Sequence, residues 1–447
     1  CRIGLPTGVD MEDDVELYSL DIVTNAQAPT VPNLLGLASG EPGLILRATG
    51  PLGFDYVPLD FCGQGGIGVP PCMTGYCPDA ADGNQMELWD VKISRHPTDA
   101  LALCVGGTVN SCGIALATFD NGLTWTRENH ECQPCVADST GGCPCSSNSE
   151  YSDDAPLPTP PDGETWRLRK FWSLYGVSIF HATNEAIACG YSGQCLLRAA
   201  RSPTNPAIVW KDRTRDGHQL VAPLCVTYPM FGAVTATNVL TSPSGYITGT
   251  GGYILESVNA TSGGSVTPWA PITPKGRPYR TKDVYFSDSM NGWVVGQFSR
   301  IAKTITGGTT WSEVEPLPDL QAGELNAITF KPGGAFGVCV GEIDNATDMP
   351  KILFNSDVLN SQDWTSPDSI SGLDTKTPWD LRAVTWTGAG STSHFWAVGH
   401  PGLLLHSTDD CVNWNAFVPP GMTPTQLSIL GFEGVAFHDP NNGLFVG

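Results

Sequence analysis

The side chains in this chain with the most chemical potential are carboxylates, thiols and one knot of cations. Glycoside hydrolysis needs two carboxyl groups facing each other across a cleft, one acid and one base or nucleophile. Asp55, Asp90, Asp283 and Asp380 are candidates by type. Asp90, Asp283 and Asp380 each precede an apolar residue in look-alike segments. A residue that recurs at equivalent places serves the repeat, so these aspartates are expected to be structural and no catalytic residue is assigned. The histidines His96, His130, His181, His218, His394, His400, His406 and His438 show neither His-x-x-x-His spacing nor a Ser/His/Asp pattern. Neither a metal nor an organic cofactor is expected.

The thiols say more about compartment than about catalysis. Cys132-x2-Cys135-x7-Cys143-x-Cys145 would suit a zinc knuckle if all four were thiolates. In a chain with 15 cysteines, a disulfide-knotted loop is the preferred reading. Cys104 and Cys112 flank one hairpin, and Cys189 and Cys195 flank the equivalent hairpin further on, so two cross-strand staples are expected. Asn259-Ala-Thr261 and Asn345-Ala-Thr347 are sequons for N-glycans in predicted hairpins. Together these features predict a secreted or cell-surface protein.

Charge narrows the partners. A formal net charge of −22 argues against nucleic acid and against anionic membrane surfaces. The longest apolar stretch, 220–234, is broken by Pro223 and Pro229, so no transmembrane helix is expected. Lys275, Arg277, Arg280 and Lys282 stand out as cations in an acidic chain, and they are the candidate contacts for a protein partner. Trp166-Arg-Leu-Arg-Lys170 is a smaller cluster of the same kind.

The elements that must carry these residues are short strands. Lys282-Asp-Val-Tyr-Phe286 alternates as a half-buried strand does. Trp293-Val-Val-Gly296 and Arg300-Ile-Ala-Lys-Thr304 read as the next two strands. A tight turn then delivers Trp311 into a fourth. The turn recurs with Ser/Thr, Asp, Gly and Trp in fixed order: Thr118, Asp120, Gly122 and Trp125; Thr304, Gly308 and Trp311; Ser407, Asp409 and Trp414. Thr306 replaces the Asp in the second copy, and Cys411 replaces the Gly in the third. Hydroxyl and carboxylate can hold local N–H groups, the Gly suits a positive φ, and the indole anchors the return. Trp210, Trp269, Trp311, Trp364 and Trp414 stand 59, 42, 53 and 50 residues apart, the size of a four-stranded propeller blade.

The turn resembles the Asp-box, or BNR, repeat of sialidases. The run Gly292-Trp-Val-Val-Gly296 to Gly307-Gly-Thr-Thr-Trp311 is similar to the blades of photosystem II assembly factors and their bacterial relatives. The resemblance implies an all-β propeller spanning 1–447, with cysteine-rich insertions between blades at about 62–82 and 131–162. Seven units are legible. A final half-unit, 434–447, could be completed by 1–8, giving eight blades closed head to tail, with seven as the alternative. The sialidase site is not matched, because Cys1-Arg-Ile-Gly and Ser299-Arg-Ile-Ala lack the Pro of that family's Arg-Ile-Pro. The assembly factors bind a protein through an arginine-rich face, which would correspond to Arg277 and Arg280. The expected function is a non-catalytic scaffold that contacts other protein subunits in an extracellular assembly. The alternatives are a glycoside hydrolase or glycan-binding propeller, and a lumenal assembly chaperone.

Overall fold

The computed structural model describes residues 16–22, 36–41, 43–50, 53–57, 86–94, 101–108, 113–130, 174–180, 185–190, 195–198, 209–212, 234–236, 244–248, 254–258, 270–271, 281–288, 290–307, 309–314, 323–344, 349–359, 363–374, 377–389, 392–439 and 442–447. Nearly all of the regular structure in them is β, arranged as eight small sheets that follow one another along the chain.

Sheet one holds β1 (Glu16–Ile22), β2 (Gly36–Glu41), β3 (Leu44–Gly50) and β4 (Gly53–Tyr56). Sheet two holds β5 (Met86–Ile93), β6 (Ala102–Thr108), β7 (Gly113–Thr118) and β8 (Thr126–Arg127). The chain then adds β9 (Asn129–His130) to sheet three, formed by β10 (Leu174–Phe180), β11 (Glu185–Gly190), β12 (Cys195–Arg198) and β13 (Val209–Asp212). Sheet four holds β14 (Val234–Ala236), β15 (Ser244–Thr248), β16 (Ile254–Val258) and β17 (Ala270–Pro271). Sheet five holds β18 (Thr281–Phe286), β19 (Gly292–Gly296), β20 (Ile301–Thr304) and β21 (Ser312–Glu313), and sheet six holds β22 (Leu325–Phe330), β23 (Gly337–Asp344) and β24 (Met349–Asn355). β25 (Ser369–Ser371) joins sheet seven, with β26 (Asp380–Ala389), β27 (Thr392–His400), β28 (Leu403–Ser407) and β29 (Asn413–Ala416). After a single helical turn, α1 (Pro424–Leu427), β30 (Gly434–Asp439) and β31 (Asn442–Val446) form a two-stranded sheet.

Within each sheet the strands run up and down in sequence order. The exceptions are β9 and β25, which pair in parallel with the outermost strands β13 and β29. In both places the chain leaving one sheet grips the outer edge of the next. The core lies between neighbouring sheets. Leu37 and Ile45 of sheet one pack with Leu88, Val91 and Leu116 of sheet two. Leu103 and Ala115 meet Leu174, Val177 and Trp210 of sheet three. Trp293 and Val295 of sheet five pack with Leu325 and Phe330 of sheet six. Phe336 and Val338 pack with Leu381, Phe395 and Trp414 of sheet seven. β30 touches β26 and β27 on one side and β1 on the other. Val446 is buried among Leu17, Ala38, Leu44 and Leu46 of sheet one.

The recurring turns are built as their composition requires. Thr118 Oγ1 accepts the N–H of Gly122 at 2.9 Å, and Asp120 accepts the N–H of Thr124 at 2.9 Å. Ser407 and Asp409 do the same for Cys411 and Asn413, at 3.1 and 3.0 Å. At Thr306 a hydroxyl substitutes for the carboxylate and accepts the N–H of Thr310 at 2.9 Å. Gly122 has φ 78°, and Cys411 holds the same left-handed region at 68° despite its side chain. Trp210 and Trp414 are fully buried, Trp311 nearly so, and Trp125 is half-buried. Gly308 lies outside the described residues.

One expectation about cysteine is corrected. Cys104 is a buried free thiol, and the ladder sets it opposite Leu116 in the core between sheets one and two. It points into packing and away from the hairpin end where Cys112 follows in sequence, so the Cys104–Cys112 staple is not formed. Cys189 is also a buried thiol, so the Cys189–Cys195 staple is not formed either, although the β11–β12 register sets the two residues opposite each other. Cys112, Cys132, Cys135, Cys143, Cys145, Asn259 and Asn345 lie outside the described residues.

Candidate functional site

In six of the eight sheets the strand that opens the up-and-down order carries the same irregularity near its start. The register slips between Leu17 and Ser19, Leu88 and Asp90, Leu174 and Gly176, Thr281 and Asp283, Leu325 and Ala327, and Leu381 and Ala383. Each slip is a β-bulge, one extra residue that bends the strand and redirects a side chain. The extra residues are Tyr18, Trp89, Tyr175, Lys282, Asn326 and Arg382. The bulge also explains a glycine near the end of three of the second strands. A Cβ on Gly106, Gly341 or Gly399 would collide with the carbonyl oxygen of Glu87, Glu324 or Asp380, because the bulge drives that carbonyl inward.

On either side of the bulge the positions are spent on architecture. The residue before it is Leu, or Thr at Thr281, and it is buried. The residue after it reaches into the next sheet where its type allows. Asp90 accepts the N–H of Val177 at 3.0 Å, Asp283 that of Ile328 at 2.9 Å, and Ser19 that of Val91 at 3.4 Å. Asp21, two residues on, accepts the N–H of Ile93 at 2.7 Å. These are the structural roles expected of Asp90 and Asp283. Asp380 differs from the expectation of equivalence: it precedes Leu381 and therefore aligns with Glu87 and Glu324 instead. The slipped register hid this, because sequence spacing alone cannot show where a bulge falls.

The bulge side chains gather at the end of the sheets where the first strands begin, here called the upper face. On sheets one to three they form an aromatic arc. Tyr18 stacks on Trp89 at 4.3 Å between ring centroids, and Tyr175 meets Trp89 edge-on at 5.5 Å. Glu41, at the end of β2, lies beside Glu87. Burial, and then the charge of Glu41, push the Glu87 carboxyl up from its ordinary range. On sheets five to eight the same face is ionic. Lys282 binds Glu324 at 2.7 Å, Arg382 binds Asp380 at 2.8 Å, and His400 binds Glu433 at 2.6 Å. Asn326 donates to the Asp380 carboxylate at 2.9 Å and to the Leu381 carbonyl at 2.8 Å. Burial, then Glu324 and Asp380, raise the Glu342 carboxyl, and burial also raises Asp380 against the pull of Arg382. Asn326 Oδ1 and Arg382 Nε are buried without a hydrogen-bond partner in the structure.

Of the four cations expected to meet a partner, only Lys282 is described, and its ammonium is already held by Glu324. Lys275, Arg277 and Arg280 lie outside the described residues. Sequence reasoning missed the aromatic arc and the carboxylates Glu41, Glu87, Glu324, Glu342 and Glu433. Aligning the segments on Leu17-Tyr-Ser-Leu, Leu88-Trp-Asp-Val, Leu174-Tyr-Gly-Val, Leu325-Asn-Ala-Ile and Leu381-Arg-Ala-Val would have exposed the position that carries the large aromatic, amide or cationic side chains. Among the described residues no cluster of three or more His, Cys, Asp or Glu is arranged to hold a metal ion. None of their helices is long and apolar enough to cross a membrane.

No family model and no curated protein sequence matches this chain. Solved structures do. YCF48 from Cyanidioschyzon merolae is 14% identical, with a TM-score of 0.44, over 98% of this chain and 95% of that one. A structure titled YCF48 bound to D1 peptide is 14% identical, with a TM-score of 0.39, over 75% and 78%. The GH74 xyloglucanase from Xanthomonas campestris is 12% identical, with a TM-score of 0.47, over 97% of this chain and half of that one.

Proposed function

We propose that the chain is a non-catalytic, secreted β-propeller of the Asp-box type that presents its upper face to a protein partner in an extracellular assembly. The observation that carries this reading is the contrast at the bulge. The positions flanking the bulge are spent on packing and, where their type allows, on hydrogen bonds to the next sheet. The bulge position itself runs through Tyr, Trp, Tyr, Lys, Asn and Arg, partly buried side chains on one face. A scaffold that sets differing, partly open side chains on one face can use that face for recognition.

The ring is taken to have eight blades. Each first strand touches the next in turn, and β30 touches both β26 and β1. The Lys92 ammonium on sheet two also favours the ionised form of Asp283 on sheet five, although burial dominates that group and these sheets are not sequence neighbours. Two strands around a common axis account for this. The eighth sheet has two strands among the described residues, and residues 1–8 are the proposed source of the others. The hydroxyl–carboxylate turns at Thr118–Trp125, Thr304–Trp311 and Ser407–Trp414 are assigned as the Asp-boxes. Location outside the cytoplasm rests on the cysteine content of the two insertions.

A hydrolase reading has one observation in its favour: Glu342 and Asp380 lie close together on the upper face, both with raised carboxyl pKa values. Against it, Asn326 and Arg382 occupy one oxygen each of Asp380. The two readings separate in one experiment. A photo-crosslinking residue at Phe298, half-exposed on the upper β19–β20 turn, is compared with one at Leu123 on the opposite face. The scaffold reading expects a protein adduct from position 298 in an extract of the native source and none from 123. Adducts from 123 alone, or polysaccharide cleavage lost in Asp380→Asn, would overturn it.

A further inference from the structure

The two halves of the upper face are not electrically equivalent. On sheets five to eight the named basic groups each meet a named acid: Lys282 meets Glu324, Arg382 meets Asp380, and the His400 imidazole hydrogen-bonds Glu433. On sheets one and two Glu41 and Glu87 lie close enough to repel, and the ion pairs among the described residues include neither. Beside these acids stands apolar surface. Tyr18, Trp89 and Tyr175 form a continuous aromatic arc of partly buried side chains.

An aromatic wall next to carboxylates that form no ion pair among the described residues has a definite complement. A lysine or arginine side chain lays its methylene stem on apolar surface and keeps its charged head beyond it. Ring quadrupoles add attraction for the cation itself. An acidic residue would meet Glu41 and Glu87 with like charge, and a neutral glycan would leave their repulsion in place.

We infer that the upper face takes a polypeptide segment carrying a lysine or arginine, whose side chain lies on Tyr18, Trp89 and Tyr175 with its cationic head between Glu41 and Glu87. This deepens, and rests on, the reading of the upper face as the partner surface. It assigns the partner a basic segment.

The test is calorimetric titration of the full chain with two capped peptides of alternating glycine, one with lysine and one with glutamate. The lysine peptide is expected to bind, with affinity falling as salt rises. In the double variant Glu41→Gln, Glu87→Gln the affinity is expected to drop about tenfold or more, with the unfolding midpoint unchanged. Asp288→Asn, an exposed acid on the opposite face, is expected to leave it within about twofold. Three results would overturn the proposal: no binding of the lysine peptide, equal binding by the double variant, or an equal loss in Asp288→Asn, which would mean non-specific attraction to an acidic protein. Crosslinking at Phe298 with no lysine-peptide binding removes this inference and leaves the scaffold reading standing. Crosslinking only at Leu123 removes both.

Discussion

Asp283 reaches out of β18 into the next sheet, where its carboxylate accepts the backbone N–H of Ile328 at 2.9 Å while its other oxygen holds the N–H of Val284 at 2.8 Å. Burial outweighs these donors and pushes the carboxyl up to about 6. The folded protein therefore holds a proton that the unfolded chain has released above its ordinary carboxylate pKa. By linkage, this group's contribution to stability is greatest below about pH 4 and declines as pH rises towards 6. Asp283→Asn removes the titration. The difference in unfolding midpoint between Asp283→Asn and the parent should move in favour of the variant between pH 4 and pH 7. A pH-independent difference would show that Asp283 does not titrate in that window.

Arg198 and Glu128 clamp the crossing from sheet two to sheet three. Arg198 is fully buried, and its Nε and terminal nitrogen each meet a Glu128 oxygen at 2.7 Å. Trp210 Nε1 adds a third bond to Glu128 at 2.9 Å. Removing the cation strands a buried carboxylate, which costs about 3–5 kcal/mol. Arg198→Met is therefore expected to lower the midpoint of denaturant unfolding steeply. Restoring neutrality with Arg198→Met, Glu128→Gln should recover part of the loss. A single variant as stable as its parent would show that the pair carries no strain-free burden of burial.

The turn at Thr306 offers the opposite experiment, a gain. Its hydroxyl accepts the Thr310 N–H where Asp120 and Asp409 use a carboxylate. Both carboxyls stay below their ordinary range: slight burial opposes ionisation, and donors led by Thr124 and Asn413 overcome it. Thr306→Asp should add a charge-assisted bond worth about 0.5–1 kcal/mol. Because the new carboxyl is also held low, the gain is present at neutral pH and lost as pH falls below about 4. Thermal unfolding at pH 7 and pH 3 reads both parts.

The strands were legible because alternation and terminal glycines are local signals. Lys282–Phe286, Trp293–Gly296 and Arg300–Thr304 all fall within or against β18, β19 and β20. The parallel strands β9 and β25 were not legible, since two or three residues gripping the edge of another sheet leave no periodic trace. The upper face was hidden for a related reason. A bulge inserts one residue and reverses the phase of alternation, so Trp89 and Tyr175 read as ordinary strand aromatics. Only the register shows that they and Tyr18 meet. Cys104 misled because it has the right spacing for a staple and the burial of a core residue, and burial decides.

The sharpest check on the closure of the ring lies where β30 meets β1. A Cβ built on Gly434 would stand 3.9 Å from Leu20 Cβ, within the span a disulfide bridges. Leu20 and Gly434 are 414 residues apart in sequence, so the chain can bring them together only by returning to its start. Leu20→Cys with Gly434→Cys is expected to form a bond under mild oxidation, identified by peptide mapping of the non-reduced protein. The closed loop should also slow unfolding, since the link constrains nearly the whole unfolded chain. A Leu20→Cys, Gly434→Ala control lacks one partner and should show neither effect. If the double-cysteine protein yields no 20–434 peptide while it remains folded, sheet eight does not sit beside sheet one in solution, and the eight-bladed ring falls with it.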